Sequence, residues 1–369
     1  MRTLWFTWKD RTNPLAGGAE LVNEELAKRL AQDGHEVLFV VGGYKGAITD
    51  EVHQDGYRIV RVGNRFTVYF QTYRYYKKNL QGWADVVIDE INTIPFFAKF
   101  YVKEPNLLFV HQLCRKIWFY EMPPPLSFVG YLIEPLYLRM LSDRQVVTVS
   151  KSTKFDLMRF GFGDEHITVI SEGLEHEPLK SLTDSMRKFS APTLLSLGSM
   201  RSMKRTLDQI RAFEIAKQEL PKLRLVVAGD SSGKYGKKVL QAINDSTFSD
   251  DIVYKGRVSN KAKYELMQQC HLLLVTSVKE GWCLVVSEAA SMGTPAVVYD
   301  VDGLRDSVVQ DKTGIITSQD PEAMCLGIES AMGNKNNYVF LRENAWHASK
   351  RLTYDKSYSQ FSKFLRSFI

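Results

Sequence analysis

The chain alternates, twice over, short apolar runs with amphipathic helical stretches, and this rhythm narrows the available folds more than any other feature. In the first half the runs fall at Thr3–Thr7, Glu36–Val41, Tyr57–Val62, Asp85–Asp89, Asn106–Val110, Gln145–Ser150 and His166–Ile170. Brief apolar segments bounded by polar and turn residues read as strands. Helical patterns lie between several of them. One starts near Ala19, with Ala19, Val22, Leu26 and Leu30 on one face and Gly34 to close it. Another spans Ser150–Phe160, with Ser150 placed to cap its first turn. A polar, pattern-poor stretch, Glu175–Pro192, interrupts the rhythm and is expected to be an interdomain linker.

The alternation then restarts. Strands are expected at Thr193–Leu197, Arg224–Ala228, Ile252–Lys255, Leu272–Thr276 and Ala296–Asp300. Helices are expected at Met203–Glu219, Lys234–Ile243, Asn260–Gln269, Leu284–Met292, Leu304–Gln310, Pro321–Met332 and Tyr338–Lys350, with a last amphipathic helix at Asp355–Phe368. Alternating strands and helices imply parallel sheets covered on both faces. At 369 residues, two such domains are expected. Their expected bounds are 1–178 and 179–352, with 353–369 crossing back onto the first.

Two stretches carry chemistry. After the first strand, WKDRTNPLAGGAE places Gly17-Gly18 just before a helix, the layout of a Rossmann-like half. In the second half, KEGWCLVVSEAASMGTPAVV (Lys279–Val298) puts Glu280 on a strand-to-helix turn and Glu288 inside the helix that follows. The helix start at Cys283 and Leu284 offers unpaired N–H groups and a positive dipole end. The stretch suits a ligand with an anionic middle and hydroxyls on both sides.

Composition bounds the partners. A net charge of +6 favours phosphates or an anionic surface without requiring nucleic acid, which is not expected as a partner. Cys114, Cys270, Cys283 and Cys325 never pair as CxxC, so they read as reduced thiols of a cytoplasmic protein and not as a zinc site. The first residues, MRTLWFTWKD, meet charge too soon for a secretory signal, and no apolar run reaches the length of a membrane span.

Taken together, E-G-W-C-L-V-V-S-E-A-x3-G-T-P resembles the signature of the family 4 retaining glycosyltransferases (glycosyl transferases group 1) of GT-B fold. AGGAE (Ala16–Glu20), FVHQL (Phe109–Leu113), TVSKST (Thr148–Thr153), VISEGLE (Val169–Glu175), LGSMRSMKR (Leu197–Arg205), VVAGD (Val226–Asp230), YKGRVS (Tyr254–Ser259) and TGIIT (Thr313–Thr317) support it, so the likeness covers nearly the whole chain. It implies two Rossmann-like domains facing each other across a cleft, with the C-terminal helix on the first. It implies transfer of a hexose-type sugar from a UDP- or GDP-linked donor to a hydroxyl, with retention, no metal and no cofactor beyond the donor itself.

Roles follow from the same resemblance. Gly17 and Gly18 would let backbone amides approach the diphosphate, and His111 matches the family histidine near the reacting sugar. Lys204 matches the lysine that neutralises diphosphate charge, and Arg257 and Val258 match the loop beside the base. Glu280 would accept from sugar hydroxyls, the Cys283 and Leu284 N–H groups would hold the distal phosphate, Gly281 would line the substrate site, and Glu288 would take the ribose. Two departures stand out. Ser199 occupies the place of a family arginine, for which Arg201 or Arg205 could substitute, and Cys283 stands where the family has glycine.

Rival readings differ in chemistry. A glycoside hydrolase needs carboxylates roughly 5–9.5 Å apart, whereas eight positions of mostly helical chain separate Glu280 from Glu288 by about 12 Å. Asp300-Val301-Asp302 reads as a DxD of a metal-dependent transferase, but it follows a strand where the family has an acceptor-facing loop. A catalytically silent GT-B protein that binds a nucleotide sugar or a partner enzyme remains the alternative. On the acceptor side, Arg65–Lys78 is basic and aromatic without an acidic residue, and Ile117–Leu141 is long, apolar and aromatic. Both suit an anionic membrane surface and a lipid-linked or other sugar acceptor at its inner face. Packing in the core of the first domain and in the cleft is the competing reading of both.

Overall fold

Fourteen strands form two sheets in the computed structural model, which describes residues 1–182 and 188–369. Residues 183–187, part of the expected linker, lie outside the described residues. The chain divides into two compact units: Met1–Arg115 with Phe128–Gly173 and Thr353–Ile369, and Lys116–Ser127 with Leu174–Leu352.

In chain order, the first domain carries β1 (Arg2–Phe6), α1 (Gly18–Gln32), β2 (Glu36–Gly42), β3 (Asp50–Val52), β4 (Arg58–Val62), α2 (Val68–Tyr75), β5 (Val86–Ile91) and β6 (Asn106–Val110). After α3 (Ile117–Glu121), which groups with the second domain, come α4 (Leu126–Leu141), β7 (Val146–Thr148), α5 (Lys151–Arg159) and β8 (Ile167–Val169). The sheet order is β3-β4-β2-β1-β5-β6-β7-β8, parallel except for the edge strand β3. Every residue of β5 is buried, as expected of a strand covered on both faces.

The second domain carries β9 (Thr193–Leu197), α6 (Thr206–Glu219), β10 (Arg224–Ala228), α7 (Lys234–Asp245), β11 (Ile252–Tyr254), α8 (Asn260–Gln269), β12 (Leu272–Val275) and α9 (Leu284–Ser291). It continues with β13 (Ala296–Tyr299), α10 (Leu304–Ser307), β14 (Gly314–Thr317), α11 (Pro321–Met332) and α12 (Lys335–Ser349). Its parallel sheet runs β11-β10-β9-β12-β13-β14. The order of winding reverses at β9/β12, and in the first domain at β1/β5. Such switch points open a crevice beyond the carboxyl ends of the two strands, where open α/β sheets bind ligands.

The last helix, α13 (Tyr354–Phe368), returns to the first domain, as expected. Its Phe361 ring lies 5.9 Å from Trp5 and 6.0 Å from Phe109, Arg29 meets Asp355 at 2.8 Å, and Tyr358 donates to Asp33 at 2.5 Å. Burying a phenylalanine such as Phe361 contributes about 1.5–3 kcal/mol.

Several local expectations change. β3 has no apolar run to announce it, since its residues lie on an exposed edge. β14 lies inside TGIIT, too short to read as a strand. The helix expected at Leu304–Gln310 is a single turn, because Val308 turns extended. Pro123–Pro125 split the aromatic stretch into α3 and α4, since three successive residues without an N–H deprive a helix of its hydrogen bonds, whereas α4 accommodates the single Pro135. The described parts of the polar stretch lie against the second domain: Leu179 N–H donates to Ser291 O at 3.0 Å, Phe189 N–H to Gln269 O at 2.9 Å, and Lys188 Nζ to Cys270 O at 2.5 Å.

Candidate active site

In the second domain, the switch point brings together the turn after β9 and the turn after β12. The first is a short 3-10 segment, Ser202–Lys204, and Arg205 follows it at φ +50°. Thr276 Oγ1 donates to the carbonyls of Lys204 and Arg205 at 2.7 and 3.0 Å, and Val278 N–H donates to Met203 O at 2.8 Å. The two turns are thereby tied together, through the Thr276 hydroxyl and the Val278 backbone. Across them, Lys204 Nζ meets Glu280 Oε1 at 2.5 Å, and Ser277 Oγ donates to the same oxygen at 2.5 Å. Burial disfavours the Lys204 ammonium, but the Glu280 charge outweighs it and holds the amine above its ordinary value.

Glu280 is fixed from behind as well. Its N–H donates to Asp302 O at 3.0 Å, and Gly303 (φ +79°) lies so close that a β-carbon there would stand 2.3 Å from Glu280 O. Asp302 binds Lys279 at 2.6 Å and Arg305 at 2.9 Å, and Asp300 also pairs with Arg305. Both carboxylates of the DxD-like segment are thus neutralised by the chain's own cations.

The helix terminus lies beside this pair. Cys283 caps α9 at φ +75°, ψ +73°, a left-handed conformation that glycine adopts freely and cysteine adopts under strain. Val286 N–H is already accepted by Cys283 O at 3.0 Å, so the N–H groups of Cys283, Leu284 and Val285 form the open first turn. Burial, reinforced by the Glu280 charge, pushes the Cys283 thiol well above its usual range, so it stays a neutral thiol. One to two turns on, Glu288 accepts from Lys263 Nζ at 2.7 Å and lies 3.4 Å from Tyr264 OH, whose ring stacks on His176 at 4.3 Å.

Two candidate cations separate here. Arg201 pairs with Glu121 at 2.9 Å, and its charge acts on Lys204. Arg205 turns instead to Asp208 at 2.5 Å and the Gln319 carbonyl at 3.1 Å. Neither bonds the Lys204–Glu280 pair, and Arg201 is the nearer in its electrostatic effect. Gly281 lies in the turn between Glu280 and α9. Arg257 and Val258 follow β11 on a turn opened by Gly256 at φ +66°, with Arg257 exposed and Val258 half-buried.

In the first domain, Gly17 caps α1 but its N–H donates to Glu20 Oε2 at 2.6 Å, leaving Gly18 and Ala19 at the helix start to offer N–H groups. Lys9 Nζ meets Glu20 at 3.1 Å, and Asn92 after β5 donates to it at 3.1 Å. His111 follows β6, buried, with Nε2 3.0 Å from Asn23 Oδ1 and 3.5 Å from Glu90 Oε1. Burial, helped by the Lys9 charge, lowers His111 to about 3, so its imidazole is neutral. Burial, helped by Glu20, raises Glu90 to about 8, with Thr7, Asn23 and the Lys9 charge pulling weakly the other way.

Glu90 therefore keeps its proton in the fold where an unfolded chain ionises near 4.5. Between those values the unfolded state loses a proton that the folded state retains. The stability present at acid pH then falls as pH rises through about 8. Glu90→Gln should flatten this slope by a few kcal/mol, roughly, over that span. Denaturation midpoints at acid, neutral and alkaline pH check it. Parallel loss in both proteins would mean that Glu90 ionises normally.

Sequence reasoning missed Lys263, Ser277, Asn23 and Glu90. Lys263 follows the GRVS turn by four residues, the one signal that could have flagged it. Ser277 stands three residues before Glu280 on the same turn, whereas Asn23 and Glu90 are brought to His111 by neighbouring elements far away in sequence.

Comparisons with known proteins agree with this layout. The family models "Glycosyltransferase Family 4" and "Glycosyl transferases group 1" match residues 16–177 and 185–347. The chain is 24% identical over 342 residues to the N-acetyl-alpha-D-glucosaminyl L-malate synthase of Bacillus anthracis, covering 82% of this chain and 81% of that protein. It is 28% identical over 157 residues to the poly(glycerol-phosphate) alpha-glucosyltransferase of Bacillus subtilis, covering 42% of this chain but only 23% of that longer protein. The structure of Anabaena Alr3699/HepE in complex with UDP and glucose superposes over 100% of both chains with a TM-score of 0.75 at 17% identity. With a model on each domain and this shared architecture, the chain belongs to the group 1 and family 4 glycosyltransferases of GT-B fold.

Proposed function

We propose that the protein transfers a hexose-type sugar from a UDP- or GDP-linked donor to a hydroxyl acceptor, with retention and without a metal ion. The observation that carries this reading is the Lys204–Glu280 pair at the β9/β12 switch point, beside the open first turn of α9. Breaking the sugar–phosphate bond puts an electron pair on a diphosphate oxygen and positive character on the sugar. Lys204, Arg201 and the α9 amides are fixed donors for the anion, the kind of preorganised field that is usually the largest catalytic term. Glu280 is left to accept from sugar hydroxyls once Lys204 turns to phosphate, and Glu288 to accept from the ribose once Lys263 releases it.

The acceptor oxygen bonds to the anomeric carbon on the face the diphosphate leaves, and the departing phosphate oxygen takes its proton. His111, neutral and held by Asn23, is assigned the positioning role. The UDP and glucose bound by HepE support a nucleotide-sugar donor. The acceptor on this reading is a lipid-linked or other cell-envelope glycan precursor.

Proton NMR of the product from an α-linked donor, with and without EDTA, tests the finer claims. An α-linked product at an unchanged rate is expected. A β-linked product contradicts retention, and loss with EDTA that Mn²⁺ restores contradicts metal independence. Ser199 and the strained, thiol-bearing Cys283 favour a second reading, a binding protein without turnover, which tight nucleotide binding with no release from any donor would support.

A further inference from the structure

α4 is the most apolar surface element of the first domain, and it shows that surface to solvent. Phe128, Val129, Leu132, Ile133, Leu136 and Met140 are each between 47% and 66% exposed. At the helical repeat they fall on an arc of roughly 140°. The opposite arc, Tyr137, Leu138 and Leu141, is buried against Leu108, Val110 and Val146 of the sheet. The exposed arc is therefore an outer face, not a frayed core. Contiguous apolar surface of this kind marks an interaction site.

Charge tells what covers it. The acidic residue of α4, Glu134, points inward, where it accepts the N–H groups of Cys114 and Arg115, both at 2.7 Å. Arg139 shares the exposed arc. At the helix end, Lys99 Nζ binds Met140 O at 2.6 Å and lies 5.6 Å from the exposed ring of Phe100. Asp143 there sits between Lys99 and Arg144, at 2.8 and 2.9 Å. Next to Phe100 along the chain, the half-buried Tyr101 meets the Tyr73 ring at 5.1 Å, and its carbonyl accepts from Lys77 at 3.0 Å, which joins this border to α2. There Arg74 lies over Phe70 and Arg65 over Phe66, with Phe66 78% exposed. α2 packs on Leu4 and Val40 and α4 on Leu108, which strand register places on one sheet face, away from α13.

We infer that this face of the first domain, α4 with the cationic and aromatic border running to α2, docks on an anionic lipid surface. The rings and aliphatic side chains enter the interface while arginines and lysines meet headgroup phosphates. A second copy of the chain fits less well, since a two-fold pairing of this face would set one cationic border against the other. Among the described residues no helix is long and apolar enough to cross a membrane, so docking would be peripheral. α4 also fixes, through Glu134, the turn that follows His111, so a docked α4 would hold that turn at the lipid surface. The partner named here rests on the proposed transfer to a lipid-linked acceptor, but the surface itself does not.

Flotation of the full chain with phosphatidylcholine vesicles, with and without phosphatidylglycerol, tests it. Binding is expected only with phosphatidylglycerol and should fall with salt. Leu132→Ser with Leu136→Ser should cut it at least about tenfold, while Leu326→Ser, an exposed apolar residue of the second domain, should not. No binding, or equal binding by the double variant, overturns the inference. A concentration-dependent dimer dissolved by the double variant overturns it too and assigns the face to a second copy. Nucleotide release from a sugar donor is read in the same proteins. Release kept without vesicle binding sinks only the membrane surface, and vesicle binding without release sinks only the proposed transfer.

Discussion

Lys204→Ala is expected to lower the rate of sugar transfer by about 10²–10³-fold, the usual cost of removing one preorganised donor to a developing anion. Lys204 is the cation held nearest the proposed leaving group, and its backbone is fixed by Thr276 and Val278 from the neighbouring strand turn. Among the described residues no other cation bonds Glu280: Arg205 is committed to Asp208 and Gln319, and Arg201, paired with Glu121, is a separate donor that leaves the place of Lys204 unfilled. Among the described residues the substitution also leaves the Glu280 carboxylate with Ser277 alone, which costs about 1–3 kcal/mol of stability. Lys204→Met shares that stability loss, so rate and melting temperature together separate chemistry from folding. A rate within tenfold of the parent would remove Lys204 from the site.

Gly303→Ala tests positioning without removing any functional group. A β-carbon there would lie 2.3 Å from Glu280 O and 2.9 Å from Glu280 Cβ, at a φ of +79° that alanine disfavours. Backbone must move by about 1 Å to relieve this, and a displacement of that size at a site can cost about 10²-fold in rate. Donor affinity should weaken in step, because Glu280 moves in the ground state too. Gly233→Ala, where nothing lies within 4 Å and φ is −77°, is the control expected to behave as the parent. Equal activities of the two variants would show that the Glu280 turn tolerates movement.

Much of the fold was legible because a strand buried on both faces is an apolar run. Asn106–Val110, Thr193–Leu197 and Arg224–Ala228 stand where that logic puts them. Legibility failed where one-dimensional pattern carries no sign of the third dimension. The outer face of α4 reads as membrane-facing or as core alike, because both of its faces are apolar and the period alone cannot say which is wet. Glu90 falls just beyond the expected strand Asp85–Asp89 and carries no pattern signal, yet it lies within β5, buried beside His111. Lys263 and Glu288 are 25 positions apart and meet only because α8 packs on α9. The polar stretch from Glu175 reads as an interdomain linker because it carries no apolar pattern, although the Lys188 amine is satisfied by carbonyls of the second domain.

The central claim is that the second domain holds a nucleotide sugar at Lys204 and Glu280. The most direct measurement is nucleotide release from a panel of UDP- and GDP-sugars by the parent protein and by Glu280→Ala. Release from at least one donor by the parent, lost in Glu280→Ala, is the expected result. Undiminished release by Glu280→Ala, or none from any donor by the parent, would contradict it.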